Sequence, residues 1–292
     1  MEKKTVAIAG DTTSEINEEL AKAYEIKLVP LYLNIDGKSY RETEIDLSWF
    51  CRNVNKWKKE NRPITSSAPS VGDFVNAYRE LGKRADCVLA ICLSSKFSAT
   101  FTSAVAAKKI VSGEMPDKSF EAFDSMTVCG GQMLITIEAA RAATAGKNLD
   151  EVINHIDSIT DRVNYISLSS DVSGMAKCGR LHRAQTFATS KVASTALMQA
   201  TRSTGGEHQP LGRYRTREKA MDRIFEIVRE RSGNGKLHIA INHANAPTEA
   251  MELKDRALSL FQCEEVFICQ SLPLVTYHEG IGNLKFSWWS EG

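Results

Sequence analysis

The sequence predicts an α/β protein that begins with a parallel sheet covered by helices on both faces. Short apolar runs alternate with segments of helical periodicity as far as about residue 162. Each run ends in a polar turn, as strand–helix units do when their ligand site lies at the carboxyl edge of the sheet. From Asn164 the pattern changes to a period of two. We therefore expect two domains, at 1–162 and 163–292.

The composition is that of an ordinary globular protein. Its 292 residues are 42% hydrophobic and 25% charged, and 37 basic against 36 acidic residues leave a formal net charge of +1. This balance gives no indication of nucleic-acid binding. No apolar run approaches the ~18 residues of a membrane span, and none of the seven cysteines stands in a C-x-x-C pair. We expect a cytoplasmic protein with no membrane span and with reduced cysteines.

The first elements are a strand, a helix and a second strand. Thr5–Ala9 is short and mostly apolar, which indicates a buried strand. A helix follows with its apolar face starting at Ile16, and the spacing of Thr12 and Glu15 predicts a capping box at its start. The apolar run Ile26–Leu33 predicts the second strand.

A hairpin and a helix come next along the chain. The pair Asp36-Gly37 after the second strand is a strong signal for a two-residue hairpin turn. Asp46 stands just before an amphipathic segment, and it predicts a capped helix from Leu47 to about Trp57.

Two hydroxyl-rich segments are candidate anion sites. Thr65–Ser70 is a polar loop that contains four hydroxyls in six residues. A buried strand at Cys87–Leu93 ends in a second such turn, where Ser98 and Thr100 lie at or near the start of the next helix. Hydroxyls and exposed backbone N–H groups at a helix start suit an anion. The structural alternative is that Ser70 and Ser98 only cap their own helices.

The first domain closes with a strand and two helices. Phe120–Asp124 predicts a short strand. Gly130-Gly131 opens a helix that ends at Gly146, and another helix follows from Leu149 to about Val163. The glycine pair lacks both G-x-G-x-x-G and a Walker lysine, so we interpret it as close helix–sheet packing, not as a phosphate cradle.

The second domain is predicted to mix strands and helices. Asn164–Ser170 alternates with a period of two, which predicts a strand with one exposed face. A helical stretch is expected near Gln185–Met198, and the polar segment Thr201–Gln209 predicts a loop. The remaining elements are a helix capped by Thr216, strands at Lys236–His243 and Glu265–Cys269, and a helix at Thr248–Leu260.

Several polar segments occur in an order that is typical of one protein family. They are Gly10–Ile16, Thr65–Ser70, Leu93–Thr100, Asp124-Ser125, Cys178–Leu181 and His278–Gly282. They resemble, in the same order, the motifs D-S-S-x-D-L, T-S-x-P-S, S-S-x-L-S-G-T, D-S, G-G-R-I and H-T-G-P-G of the DegV family. The members of this family are also known as the fatty-acid-binding subunits of bacterial fatty-acid kinase. The resemblance spans nearly the whole chain.

The resemblance implies a two-domain DegV-like fold. A mainly parallel sheet flanked by helices is followed by an α/β domain with a largely antiparallel sheet. The lipid site lies between the domains, where a long-chain fatty acid is held by its carboxylate in a hydroxyl-rich polar site and by its chain in an apolar tunnel. The resemblance also implies a carrier that presents the fatty acid to a separate fatty-acid kinase for acyl-phosphate formation, with no catalytic residues and no cofactor besides the lipid.

The ligand-binding positions of the family can be carried over one by one. Matching the motifs gives the residues Ser66, Ser67, Ser98, Thr100, Arg180 and His278. In the family the hydroxyls contact the carboxylate, while the arginine and histidine complete the polar network. Because a carboxylate only accepts hydrogen bonds, hydroxyl donors would satisfy it and the arginine would supply charge.

Four segments depart from the motifs of the family. Ala99 replaces the glycine of S-G-T, Cys178 replaces the first glycine of G-G-R, and Glu279 and Ile281 replace the threonine and proline of H-T-G-P-G. A further motif of the family, K-P-I-L, corresponds to Leu197–Ala200. We expect Ala99 and Cys178 to narrow the approach of the backbone to the head group. We expect Glu279 to bring a negative charge close to the anion.

Other chemistries have less support in the residues. The six histidines show no H-E-x-x-H pattern and no companion cysteine spacing, so we expect no metal site. Ser98 with His278 could supply the nucleophile and base of a serine-dependent lipid hydrolase or acyl-transfer enzyme, although G-x-S-x-G is absent. A third possibility is a fold relative with an unrelated small ligand.

Overall fold

The computed structural model describes residues 5–170, 175, 179–181 and 195–291. In the first half, the strands are β1 (Val6–Asp11), β2 (Lys27–Val29), β3 (Tyr32–Ile35), β4 (Lys38–Arg41), β5 (Ile64–Ser67), β6 (Cys87–Cys92) and β7 (Ser119–Asp124). The helices of this half are α1 (Glu18–Ala23), α2 (Leu47–Lys59), α3 (Val71–Gly82), α4 (Thr100–Glu114), α5 (Gly130–Thr144) and α6 (Leu149–Thr160). The second half contains the strands β8 (Asn164–Ser169), β9 (Thr195–Gln199), β10 (Gln209–Tyr214), β11 (Leu237–His243), β12 (Cys263–Gln270) and β13 (Leu284–Ser290). Its described helices are α7 (Arg217–Ser232), α8 (Pro247–Leu260) and α9 (Pro273–Glu279).

The core of the first half is a parallel sheet of four strands in the order β2-β1-β6-β7. Alternate residues of the central strand β6 pack against opposite helix layers. Val88 and Ala90 are buried with α3 and α4, whereas Leu89 and Ile91 are buried with α5 and α6. Strands buried on both faces have continuous apolar sequences. The predicted parallel sheet with helices on both faces is confirmed.

The second half is built on a sheet of six strands in the order β10-β9-β8-β13-β11-β12, and its pairings are antiparallel except for β11 with β12. Helices α7 and α8 pack on one face. Helix α5 packs on the other, so both sheets share it. A Cβ at Gly130 would lie 2.5 Å from Asn242 Oδ1 and 2.7 Å from Ser287 Oγ. Close packing therefore requires this glycine, as predicted.

A third sheet of three antiparallel strands, β4-β3-β5, was predicted only in part. The hairpin is confirmed, because Asp36 (φ 51°) and Gly37 (φ 80°) both have the positive φ of a type I′ turn. The prediction of a single strand at Ile26–Leu33 is wrong. Two strands of different sheets occupy it, separated near Pro30, which has no N–H for a ladder. Part of the predicted loop Thr65–Ser70 belongs to strand β5. The strand was not predicted because its pairing partner, β3, is distant in sequence.

Three predicted helix starts are confirmed by their caps. The side chains of Asp46, Ser70 and Thr216 each accept a backbone N–H from the first turn of the following helix. Ser70 and Asp73 together form a complete capping box. These helices start where local hydrogen bonding predicts.

The predicted capping box of Thr12 and Glu15 is wrong. Thr12–Ser14 form a 3-10 turn, and Glu15 ends it with a left-handed φ of 56°. Helix α1 is capped instead by Asn17, whose side chain accepts the N–H of Leu20 at 2.8 Å. The carboxylate of Glu15 does not cap a helix. It pairs with the buried ammonium of Lys285.

Two predictions in the second half also differ from the structure. Strand β8 is buried on both faces, because Ser167 and Ser169 on its polar side bond to Glu279 and not to solvent. The helix expected at Gln185–Met198 is wrong for residues 195–198, which belong to strand β9. The rest of that predicted helix lies outside the described residues, and so does Cys178. Across the parts of the chain that the structure describes, no helix combines the length and apolar character needed to cross a bilayer.

Candidate functional site

A cavity of about 450 Å³, its mouth included, lies beyond the carboxyl ends of β1, β6 and β7. Its wall includes Thr13 after β1, Phe97 after β6 and Val128 after β7, and residues of the second half complete it. The apolar part of the lining includes Leu31, Leu93, Phe97, Val128, Leu274 and Val275. The cavity therefore occupies the edge where a parallel sheet presents its ligand sites.

Ser66, Arg180 and His278 meet at this cavity and form a cluster that we call the polar corner. Nη1 of Arg180 lies 2.6 Å from Nε2 of His278, and Nη2 donates to Oγ of Ser66 at 3.3 Å. Oγ of Ser66 is 2.9 Å from the same His278 Nε2. Nε of Arg180 donates to the carbonyl of Phe97 at 3.0 Å. Three of the six predicted binding residues are thus in direct contact.

The hydrogen-bond donors of the polar corner determine which of its atoms carry protons. A guanidinium only donates, so Nε2 of His278 must accept and the Ser66 hydroxyl must donate to it as well. Burial, and then the charges of Arg180 and Lys58, lower the pKa of His278 to about 3. The imidazole is therefore neutral at physiological pH, and Arg180 supplies the positive charge of the polar corner.

The other predicted hydroxyls are placed differently. Ser98 lines the cavity, and its Oγ lies 2.8 Å from Oγ1 of the buried Thr100 and accepts the Thr100 N–H at 3.3 Å. The N-cap of α4 is Ala99, which has an ordinary φ of −74° and makes no side-chain cap. Ala99 is exposed and is not part of the described cavity wall. Ser67 follows Ser66 on β5 with an exposed side chain, because successive strand residues face opposite sides.

Glu279, the acidic departure from the family motif, lines the cavity but is engaged by its own neighbours. Its carboxylate accepts hydrogen bonds from the hydroxyls of Tyr165 at 3.0 Å and Ser167 at 3.2 Å. Nζ of the buried Lys285 lies 3.9 Å from it. Burial raises the pKa of Glu279. The negative charge expected near an anion is therefore offset within the six-stranded sheet.

A second buried carboxyl, that of Glu42, connects the third sheet to the cavity wall. Oε1 is hydrogen-bonded to the hydroxyl of Thr12, and Oε2 accepts the N–H of Leu274 at 3.2 Å. Burial raises the pKa of Glu42 to about 8, even though both hydrogen bonds act in the opposite direction. Because the side chain of Leu274 lines the cavity, Glu42 helps to position that wall.

The geometry does not favour a serine hydrolase. The hydroxyl of Ser98 is paired with Thr100, and it is Ser66 that bonds to His278. Arg180 donates to the same imidazole nitrogen, and a pKa of about 3 makes His278 a weak base at neutral pH. An effective general base has a pKa near the operating pH.

One cluster outside the cavity has residue types that could hold a metal, namely Glu138, His238 and Glu265. Nδ1 of His238 is 2.7 Å from Glu265. Arg141 donates to Glu138 at 2.8 Å and to both oxygens of Glu265 at 2.6 and 2.5 Å. Arg141 already pairs with both carboxylates, so a salt-bridge network accounts for the cluster.

Two residues of this region have no role in the sequence-based predictions. His208 lies in the predicted loop Thr201–Gln209, and its imidazole lines the cavity. No local pattern distinguishes it from other loop residues. Lys285 is fully buried, and its signal is a lysine inside the apolar strand Leu284–Ser290. A charge in such a run requires a buried partner.

Comparison with known proteins gives consistent matches over the whole chain. A family model described as "Uncharacterised protein, DegV family" matches residues 5–291. Protein DegV of Bacillus subtilis is 30% identical over 287 residues, which cover 97% of this chain and 98% of the relative. The crystal structure described as DegV, a fatty acid binding protein from Bacillus subtilis, has a TM-score of 0.84 and 28% identity, covering 99% of this chain and all of that one (100%). A fatty-acid-binding DegV family protein from Thermus thermophilus has a TM-score of 0.89 over 98% of this chain and 100% of that chain, and at 23% identity this likeness concerns the fold.

Proposed function

This chain belongs to the DegV family, and we propose that it binds a long-chain fatty acid between its two domains, 1–162 and 163–292. The carboxylate is held at the polar corner and the acyl chain lies along the apolar lining of the cavity. The observation that carries this proposal is the contact of Arg180 with both Ser66 and His278 beside an apolar wall. The description of the 28% identical Bacillus subtilis structure as a fatty acid binding protein supports it.

The donors near the cavity match the needs of a carboxylate. A carboxylate accepts hydrogen bonds through two oxygens and donates none. Arg180 and Ser98 line the cavity, and Ser66 is hydrogen-bonded to the guanidinium of Arg180. We assign supporting roles to Thr100, through its bond to Ser98, and to Ser67, through its place beside Ser66.

The apolar lining provides the driving force for the acyl chain. Each buried methylene contributes about 0.8 kcal/mol, so a chain of ~16 carbons gains on the order of 10 kcal/mol before the entropic losses of binding. A ligand held in this way is expected to remain bound during purification.

We further propose that the protein is a cytoplasmic carrier that presents the carboxylate to a separate fatty-acid kinase. The weakly basic His278 and the pairing of Ser98 with Thr100 argue against hydrolysis by this chain alone. Formation of an acyl phosphate adds negative charge to the head group, which the fork of Arg180 can accommodate.

Mass spectrometry of lipid extracted from the purified protein tests the binding proposal. We expect a fatty acid at about one molecule per chain, and stoichiometric uptake of palmitate or oleate after its removal. Incubation with an acyl ester should release no acid. Protein that contains no lipid and takes up neither acid would remove the proposal, and steady ester turnover abolished by Ser98→Ala would favour the hydrolase.

A further inference from the structure

His208 is a cavity-lining side chain with an unmet hydrogen-bonding requirement. Its exposed fraction is 5%, and Nδ1 is buried with no hydrogen-bond partner among the described residues. Buried polar atoms in proteins are nearly always hydrogen-bonded, so each exception requires an explanation. Burial, together with the charge of Arg180, lowers the pKa of His208 to about 4, so the ring is a neutral imidazole with one donor and one acceptor nitrogen.

The other polar side chains of the described cavity wall have hydrogen-bond partners. The Thr13 hydroxyl is bonded to Asp11 and lies 3.0 Å from Gln132 Oε1, and the carboxylate of Glu279 is bonded as described above. Within the described part of the cavity lining, only His208 has a buried side-chain polar atom with no hydrogen bond. The unmet requirement is therefore specific to one point of the wall.

That point lies next to the polar corner. The His208 ring packs on Phe97, with the ring centroids 4.5 Å apart, and the carbonyl of Phe97 accepts the hydrogen bond from Arg180. The ring of Tyr165 is also near His208, with a centroid distance of 6.1 Å. A ligand with its carboxylate at Arg180 would pass His208 with the first part of its chain. An unsubstituted chain would leave the imidazole unpaired.

We propose that the preferred ligand is a long-chain fatty acid with a hydroxyl group near its carboxyl end, and that His208 binds this hydroxyl. The inference rests on the proposed function, since it concerns the same cavity. A hydroxyl both donates and accepts, so it can pair with either tautomer of a neutral imidazole. His208 is then a specificity-determining residue, because a site built to bond a hydroxyl discriminates against the analogue that lacks it.

Competition binding with three acids of equal length tests the inference on the full-length protein after lipid removal. The probes are hexadecanoate, 3-hydroxyhexadecanoate and 16-hydroxyhexadecanoate. We expect the 3-hydroxy acid to bind roughly tenfold more tightly than hexadecanoate, the ratio that one additional net hydrogen bond produces. The 16-hydroxy acid should gain nothing, because its hydroxyl is at the wrong end.

Variants of His208 assign the preference to this side chain. His208→Phe keeps an aromatic ring in contact with Phe97 and near Tyr165, and it should bind hexadecanoate and the 3-hydroxy acid equally. His208→Gln should retain part of the preference through its amide. The matched control His155→Phe, outside the cavity, should behave as the wild type.

Each outcome decides a separate point. A wild-type protein that binds hexadecanoate as tightly as the 3-hydroxy acid overturns the inference and leaves the proposed function intact, and so does a preference that survives in His208→Phe. If none of the three acids binds, the proposed function fails together with the inference. The wild-type ratio is decisive even if a variant does not fold.

Discussion

The ammonium group of Lys285 lies 2.8 Å and 3.1 Å from the two carboxylate oxygens of Glu15, and both side chains are fully buried. Ser271 provides a further partner for the ammonium at 2.5 Å. Glu15 follows the first strand of the parallel sheet, whereas Lys285 lies on β13 of the six-stranded sheet. The pair is therefore a charged contact between the two halves of the chain, close to the cavity wall formed by Glu279.

Lys285→Met should lower the free energy of unfolding by about 3–5 kcal/mol, because it leaves the buried carboxylate of Glu15 without its cation. The double variant Glu15→Gln/Lys285→Met should be more stable than the single one. The control is Lys27→Met, which removes an exposed ion pair with Glu80 and should cost at most about 1 kcal/mol. Equal effects of Lys285→Met and Lys27→Met in urea unfolding would contradict the prediction.

Ionisation of the buried Glu42 carboxyl should make the protein less stable as the pH rises. Its pKa is raised from 4.5 to about 8 in the folded state, so the folded protein keeps this proton when the unfolded chain has lost it. The stabilisation is complete below about pH 4.5, declines as the pH rises towards 8 and is lost above it, a change on the order of a few kcal/mol. Glu42→Gln should flatten this part of the stability–pH profile, as measured by urea unfolding between pH 5 and 9. A variant with an unchanged profile would assign the dependence to other groups.

Ser98→Ala should weaken fatty-acid binding by about 1–3 kcal/mol, because a carboxylate oxygen loses a donor in a site shielded from water. Stability should change little, because Ala99 and not Ser98 is the N-cap of α4, and Ser98 Oγ accepts the N–H of Thr100 only at a long 3.3 Å. Ser70→Ala is the matched control. It breaks the capping box of α3 and should cost about 1 kcal/mol of stability with normal affinity. If Ser98→Ala resembles Ser70→Ala in titration calorimetry and thermal melts, Ser98 serves only its helix.

Arg180→Ala should keep most of the fatty-acid affinity, because burial of the acyl chain supplies the larger part of the binding free energy, but it should lose acyl-phosphate formation with a cognate kinase. Phosphorylation turns one negative charge into about two, so a cation at the head group favours the product. Arg180→Lys should recover only part of the activity, because lysine lacks the planar fork. Normal phosphorylation of the folded fraction, accompanied by lower stability, would make Arg180 a structural residue.

Arg180→Gln should also raise the pKa of His278. The charge of Arg180 is one cause of the present value of about 3, but burial is the larger cause. The pKa should therefore rise and still remain below the ordinary 6.5 of histidine. Titration of the imidazole resonances by NMR measures the shift. An unchanged value would mean that the guanidinium does not act on this ring.

Much of the fold could be predicted from the sequence because its signals are local. The buried strand at Cys87–Cys92 is a continuous apolar run, since helices cover both of its faces. Asp46, Ser70 and Thr216 start their helices by bonding to N–H groups within three residues. Such hydrogen bonds depend on neighbours along the chain.

Pairing between distant segments could not be predicted in the same way. The run Ile26–Leu33 gives no sign that its two halves join different sheets, because that depends on the strands that pair with them. The lysine in the apolar strand β13 requires a buried partner, but Glu15 lies 270 positions away. His208 has no local signal at all, and its unmet hydrogen bond exists only because the fold buries it.

The same distinction between sequence and tertiary structure applies to the polar corner. The motifs in the sequence identify Ser66, Arg180 and His278 among the residues that belong to one site. Only the tertiary structure decided that Arg180 donates to His278, which makes the imidazole a neutral acceptor and Ser66 its second donor. The physical reason is that proton positions and pKa values depend on distances of a few ångströms and on burial. Segments 98 and 212 positions apart acquire those distances only when the chain folds.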